Sequence, residues 1–259
     1  TAPGGIGVAF DFASLDPTDV GSYPFTASSA DSNYVGTASG TLVIDPAALT
    51  ITIDKDTFTY DGTAQEPEVT TTPVGIAVAF DYSGADPTDA GSYPFTASSA
   101  DSNYVGTASG TLVIDPAPLT ITIDKDTFTY DGAAQEPEVT TTPGGIAVAF
   151  DYSGADPTDA GSYPFTVSSA DSNYVGTASG TLVIDPAALT ITIDKDTFTY
   201  DGTAQEPEVT TTPGGIAVAF DYSGANPTDA GSYPFTASSA DPNYEAPPVS
   251  GSLTIEKAV

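Results

Sequence analysis

The residues of this sequence with the most chemistry to offer are carboxylates, and they recur at fixed spacing. Between residues 48 and 117 stand Asp54, Asp56, Asp61, Glu66, Glu68, Asp81, Asp86, Asp89, Asp101 and Asp115. Oxygen-rich groups of this kind suit Ca2+, which takes about six to eight oxygen ligands. Asp45, Asp115 and Asp185, each followed by Pro-Ala, are candidate Ca2+ ligands where one repeat meets the next; Asp54 and Asp56 are candidates within a repeat. No Asp-x-Asp-x-Asp-Gly loop is present, and Lys55 stands between Asp54 and Asp56. The alternative role for the same acids is a solvated surface that keeps similar neighbours apart. Ca2+ is the one cofactor these residues leave open.

Two further constellations have chemical potential. Lys55 and Asn103 are the only lysine and asparagine of their repeat. A lysine amine can displace ammonia from an asparagine carboxamide when a buried carboxyl assists, which would make Lys55–Asn103 a self-formed amide cross-link. Lys55 continues the inward parity of Leu49, Ile51 and Ile53, which favours the idea. Its two flanking aspartates favour an exposed, neutralised lysine instead, with Asn103 supplying turn chemistry. Paired carboxylates (Glu66 with Glu68, Asp86 with Asp89) have the residue types of a glycosidase acid/base pair. That reaction needs a concave site and a carboxyl of raised pKa, for which a small repeated β-domain offers little room. The expectation is a protein that is not an enzyme.

What is missing narrows the chemistry further. The 259 residues contain 35 acids and four lysines, for a net charge of −31, with no histidine, cysteine, methionine or tryptophan. The usual zinc, copper, haem and iron–sulfur ligand sets cannot be assembled. Ser-His-Asp and Cys-His nucleophiles are excluded as well. So strong a negative charge repels nucleic acid and anionic membranes, and no segment has the length of a membrane-spanning helix. A hydrophobic content of 39%, regularly spaced, is still enough for packed cores, so the chain is not an acidic disordered tail.

The elements that must position these residues follow from the repeat. Asp61, Asp131 and Asp201, each followed by glycine, are 70 residues apart, and Gly-Ser-Tyr-Pro-Phe-Thr begins at Gly21, Gly91, Gly161 and Gly231. Boundaries at the Asp-Pro-Ala segments give a partial repeat 1–47 without its opening strands, repeats 48–117 and 118–187, and a divergent last repeat 188–259. Alternation of period two dominates each repeat. Leu49, Ile51 and Ile53 face one way. Phe58 and Tyr60 form a short strand before the Asp61-Gly62 turn. Ile76, Val78, Phe80 and Tyr82 form an inward row, as do Tyr93, Phe95 and Ala97, and then Ala108, Gly110, Leu112 and Ile114. Pro94 predicts that its strand lies at an edge or carries a bulge. The expected fold is all-β, a small antiparallel Ig-like sandwich of 70 residues repeated in tandem. Proline-stiffened linkers then predict an elongated rod, which for four repeats spans on the order of 150 Å.

The run Phe58-Thr59-Tyr60-Asp61-Gly62-Thr63-Ala64-Gln65, then Pro87-Thr88-Asp89-Ala90-Gly91-Ser92-Tyr93, Ser102-Asn103-Tyr104 and Gly110-Thr111-Leu112-Val113-Ile114 resembles the MBG-type repeat of large bacterial surface proteins. The resemblance covers each whole repeat. It implies tandem extracellular modules of adhesin-like proteins at the cell surface, and it brings no catalytic residues. The leading expectation is a structural spacer that projects a binding tip, with neighbouring repeats of the same chain as its partners. One alternative is a filament subunit that pairs with other copies by strand exchange at the incomplete first repeat. Another is a carbohydrate- or protein-binding module using the atypical loops of the first repeat (Phe12 to Leu15) or the last (Pro242 to Val249).

Overall fold

The computed structural model describes residues 4–259, so the opening of the partial repeat at residues 1–3 lies outside the described residues. The chain divides into two compact units. One comprises residues 1–117 together with 172–174, the other residues 118–171 and 175–259. Among the described residues all regular structure is β, and none of it is a helix that could cross a membrane.

In the first unit the repeat that follows Pro46 is complete. Its main sheet has four strands in the order Thr57–Thr59, Thr107–Asp115, Gly91–Ser99, Val78–Asp81. A second sheet is the antiparallel pair Thr50–Lys55 and Glu68–Thr72. Alternate residues from both sheets meet between them, because successive side chains of a strand point to opposite faces. Leu49, Ile51, Phe95, Ala97 and Leu112 form the buried centre, and Ile53, Phe58, Val69, Val78, Phe80 and Tyr93 pack around it. The rings of Phe80 and Phe95 meet edge to face at 5.7 Å. Burial of each such Leu, Ile or Phe side chain contributes about 1.5–3 kcal/mol. In the second unit the last repeat has the same strand order and the same core, centred on Leu189, Ile191, Phe235, Ala237 and Leu253.

Three local features differ from the sequence expectation. The sandwich is not purely antiparallel, because Thr57–Thr59 runs parallel to Val113–Asp115. Pro94 is not on an edge strand, since Gly91–Ser99 lies inside the sheet. Its neighbour Val78–Asp81 pairs only with Thr96 to Ser99, so at Pro94 the sheet is locally one-sided and the missing N–H can be tolerated. A bulge between Ile53 and Lys55 breaks the strand's alternation. Lys55 therefore leaves the inward row, as expected when an extra residue re-aims the side chains after it.

The first repeat has a three-stranded sheet, Val8–Asp11, Gly21–Ser29 and Thr37–Ile44. Phe10 is 58% exposed and Leu42 39%. Their counterparts Phe80 and Leu112 are half-buried and fully buried beneath the strands that the first repeat lacks.

Candidate functional site at the repeat junctions

The best-defined polar constellation lies where two repeats meet. It is built on the turn that precedes the last long strand. Ser99 Oγ donates to the Asp101 carbonyl at 2.8 Å and accepts from the Asp101 N–H at 3.2 Å. Asp101 Oδ1 then accepts the Asn103 N–H at 2.9 Å, and the Tyr104 N–H donates to the Asp101 carbonyl at 3.1 Å. This local network is the usual turn chemistry of Ser, Asp and Asn. It fixes the backbone of Asn103 and leaves its carboxamide pointing at the preceding repeat.

There the amide makes both of its complementary bonds. Asn103 Oδ1 accepts from the Val20 N–H at 2.7 Å, and Asn103 Nδ2 donates to Asp19 Oδ1 at 2.9 Å. Its backbone carbonyl accepts from the Ala47 N–H of the linking segment, also at 2.9 Å. Ala47–Ala48 in turn pairs parallel with Tyr104–Val105. The acceptor loop is held from its own side, because Tyr23 Oη donates to the Asp19 carbonyl at 2.8 Å. An asparagine is the side chain that satisfies an N–H and a carboxylate side by side. An aspartate would face Asp19 with like charge.

The arrangement recurs. Asn173, grouped with the first unit, accepts from the Ala90 N–H at 2.7 Å and donates to Asp89 at 3.0 Å. In the second unit Asn243 accepts from the Ala160 N–H at 2.6 Å and donates to Asp159 at 2.9 Å. Two tyrosine pairs add apolar contact. Tyr60 meets Tyr174, and Tyr130 meets Tyr244, each edge to face at 5.5 Å, a favoured geometry for aromatic rings.

A backbone close approach accompanies the clasps of Asn103 and Asn173. The Leu49 N–H donates to the Val105 carbonyl at 2.9 Å. A Cβ placed on the next residue, Gly106, would lie 2.0 Å from the Leu49 carbonyl oxygen, and Gly176 stands in the same relation to Leu119. Glycine is required here because the linking segment runs directly over the turn.

The other candidate residues have different surroundings. Asp45, Asp115 and Asp185 are exposed. The Asp115 carbonyl, not its carboxylate, is engaged, accepting from the Tyr60 N–H at 2.8 Å. Asp54 accepts from the Thr70 hydroxyl at 3.3 Å and Asp56 from that of Thr57 at 3.4 Å. Among the described residues no three carboxylates come together in a cluster able to hold a metal ion. Lys55 Nζ bonds Glu68 at 3.4 Å and lies 4.1 Å above the Phe58 ring centre. It is half-exposed, while Asn103 is committed to Asp19 and Val20. The structure thus gives Lys55 and Asn103 separate partners. From the sequence alone Asn103 reads as a turn residue and Asp89 as a loop residue, and no local pattern joins an asparagine to an aspartate of the preceding repeat. The available signal is a fixed offset of 84 residues between the two.

Two electrostatic details belong to the repeats rather than the junctions. Asp61 and Asp201 accept from the hydroxyls of Thr63 and Thr203 at 2.7 Å, which holds both carboxyls below the usual range. Burial and the nearby Glu66 push the Tyr82 phenol up, and its hydroxyl has no hydrogen-bond partner. Phe12 stands at the corresponding place in the first repeat, so the fold does not require that hydroxyl.

Similar solved structures include Sidekick-1 immunoglobulin domains 1–5, at 12% identity and a TM-score of 0.30, covering 92% of this chain and 67% of that one. Drosophila N-cadherin EC1–4 is similar at 9% identity and a TM-score of 0.26, covering 96% of this chain and 86% of that one. The surface layer protein SbsC, domains 1–6, is similar at 16% identity and a TM-score of 0.19, with 93% and 45% covered. Likeness at this level carries nothing about function. No curated protein sequence matches the chain. The family model of the MBG domain matches residues 1–48, 49–118, 119–188 and 189–259 in succession. The chain belongs to the MBG domain family, as four tandem copies of that domain.

Proposed function

We propose that the chain is a passive extracellular spacer, a stalk segment of a microbial surface protein whose repeat number sets how far a binding tip stands from the cell. The observation that carries this reading is the recurring asparagine clasp. At each of three junctions the same pair of side-chain hydrogen bonds joins neighbouring repeats. The proline-containing linkers and the surface charge of −31 support it further, since short stiff linkers limit bending and charge limits sticking between similar domains. The resemblance to repeats of large bacterial surface proteins supports the location.

The test is the dependence of reach on repeat number. Small-angle scattering from chains carrying increasing numbers of the 70-residue repeat should give a maximum dimension that rises by a constant increment per repeat. A dimension that levels off as repeats are added would contradict a spacer.

A further inference from the structure

We infer that Asp131-Gly132 is the place where this chain converts spontaneously to isoaspartate, and that a threonine hydroxyl holds back the same reaction at Asp61-Gly62 and Asp201-Gly202. Aspartates 61, 131 and 201 are the ones followed by glycine, and no asparagine is. Glycine favours the reaction, because it has no Cβ to keep its amide nitrogen from the preceding side chain. All three Asp-Gly pairs are exposed, so sequence and exposure alone would make them equal.

The chemistry needs only water. The Gly132 nitrogen attacks Cγ of the protonated Asp131 side chain. The N–Cγ bond forms and the Cγ–OH bond breaks, and one water leaves, made of that hydroxyl and the amide proton. Solvent water then adds at the Asp131 main-chain carbonyl carbon, and the bond from that carbon to the Gly132 nitrogen breaks. The chain now runs through Cβ and Cγ, with one extra main-chain carbon, and the former main-chain carbonyl is a carboxylate. Mass is unchanged, and one solvent oxygen has entered. Ring opening at Cγ instead restores aspartate, again with one solvent oxygen. The hydroxide must leave from a neutral carboxyl, so hydrogen bonds that favour the carboxylate oppose the first step.

The three turns differ in how firmly they hold that carboxyl. Asp61 Oδ1 accepts from the Thr63 N–H at 2.9 Å, the Thr63 hydroxyl at 2.7 Å and Gln65 Nε2 at 2.9 Å. Asp201 has the same three donors, Thr203 N–H, Thr203 hydroxyl and Gln205 Nε2, at 2.9, 2.7 and 2.9 Å. In both turns the glutamine also donates to the threonine hydroxyl, at 3.2 and 3.1 Å, which closes a triangle of side chains. These bonds hold both carboxyls below the usual range and fix the side chain that would have to turn towards its own glycine. In the third repeat alanine replaces the threonine. Asp131 Oδ1 accepts from the Ala133 N–H at 2.9 Å and Gln135 Nε2 at 2.7 Å. The hydroxyl that completes the triangle is missing there.

The place of the change gives it a consequence. Asp131 directly follows Tyr130, whose N–H donates to the Asp185 carbonyl at 2.8 Å and whose ring meets Tyr244 of the last repeat at 5.5 Å. On the other side of the turn the Gln135 N–H donates to the Pro157 carbonyl at 3.0 Å. An extra main-chain carbon at residue 131 therefore falls between two anchored points and beside a contact between repeats. The reaction is uncatalysed and slow, so it marks the age of the chain at one repeat.

Isotope labelling of the whole folded chain tests this. The chain is aged in heavy-oxygen water at mildly acidic pH, where more of each carboxyl is protonated, and then cut after its lysines in ordinary water. Cleavage after Lys55, Lys125 and Lys195 puts each Asp-Gly pair in its own fragment, and tandem mass spectrometry locates the label. Asp131 should take up solvent oxygen faster than Asp61 or Asp201 by roughly three- to tenfold, the scale of one modest hydrogen bond. Ala133→Thr should slow Asp131 to the rate of the other two. Thr63→Ala should raise Asp61 to the Asp131 rate and leave Asp201 unchanged. Each substitution installs a residue that another repeat already carries at that place, so the fold is kept. In concentrated denaturant the three rates should converge. Equal rates in the folded chain overturn the inference. A difference that persists in denaturant also overturns it, since the cause would then be the local sequence and not the folded turn. So does an Asp131 that stays unlabelled in the folded chain over a time in which the denatured chain is labelled.

Discussion

Gly106→Ala is expected to destabilise the second repeat by about 1–3 kcal/mol, the range for forcing an extra carbon into a packed site. The added methyl would meet the Leu49 carbonyl oxygen at 2.0 Å. That atom belongs to backbone whose N–H is bonded to Val105, so it cannot rotate aside as a side-chain tip would. The last repeat shows what accommodation requires. There Ala246 follows Glu245, which still accepts the Leu189 N–H at 2.8 Å. The next residues are Pro247 and Pro248, and one residue more than in the other repeats separates Ala246 from the closing strand. Gly106 and Gly176 also accept hydrogen bonds from Ser99 and Ser169, which tie the segment in place. Calorimetry of the native and variant chains checks the prediction. It should find one repeat melting earlier while the others keep their transition. An unchanged profile would mean that the linking segment yields freely.

Leu112→Ala is expected to cost more, about 3–5 kcal/mol, from lost transfer energy and the cavity left behind. Leu112 has no exposed surface and packs in the centre of the repeat with Phe95, Ala97, Ile51 and Leu49. A domain of about 70 residues has roughly 4–10 kcal/mol in total, so the variant repeat is left near the edge of folding. Because neighbours join through a few polar contacts and a short ladder, the damage should stay in that repeat. Hydrogen exchange should show fast exchange over the strands Gly91–Ser99 and Thr107–Asp115, with protection retained in the last repeat. Collapse of protection along the whole chain would mean that the repeats fold as one cooperative body.

Much of each repeat is legible in its sequence because one rule governs it. Where a strand is half-buried, alternation assigns every side chain to a face, and Ile51, Phe95 and Leu112 all go to the core as read. The rule fails where something non-local intervenes. At Lys55 a bulge shifts the register, and no residue there announces it. At Pro94 the sequence signals a missing ladder bond, but whether that means an edge strand or a short neighbour depends on where Val78–Asp81 stops. The parallel pairing of Thr57–Thr59 with Val113–Asp115 joins segments far apart in the chain and leaves no local pattern. The junction is illegible for the same reason. Asn103 reads as turn chemistry from its neighbours, and its partners Asp19 and Val20 lie in another repeat. The acids draw attention to metal binding because of their number, whereas the one that meets Asn103 acts singly, as a hydrogen-bond acceptor.

The proposed spacer, in which asparagine clasps restrain neighbouring repeats, is tested most directly by small-angle scattering of the native chain beside a triple variant, Asn103→Ala, Asn173→Ala and Asn243→Ala. Each substitution removes two hydrogen bonds, one of them to a carboxylate, worth about 1–3 kcal/mol per junction. The core of each repeat is left intact. The variant is predicted to keep its circular dichroism and melting temperature while its scattering changes from that of a stiff array to that of domains on flexible joints, with a shorter mean end-to-end distance. Superimposable scattering from the two chains would contradict the proposal.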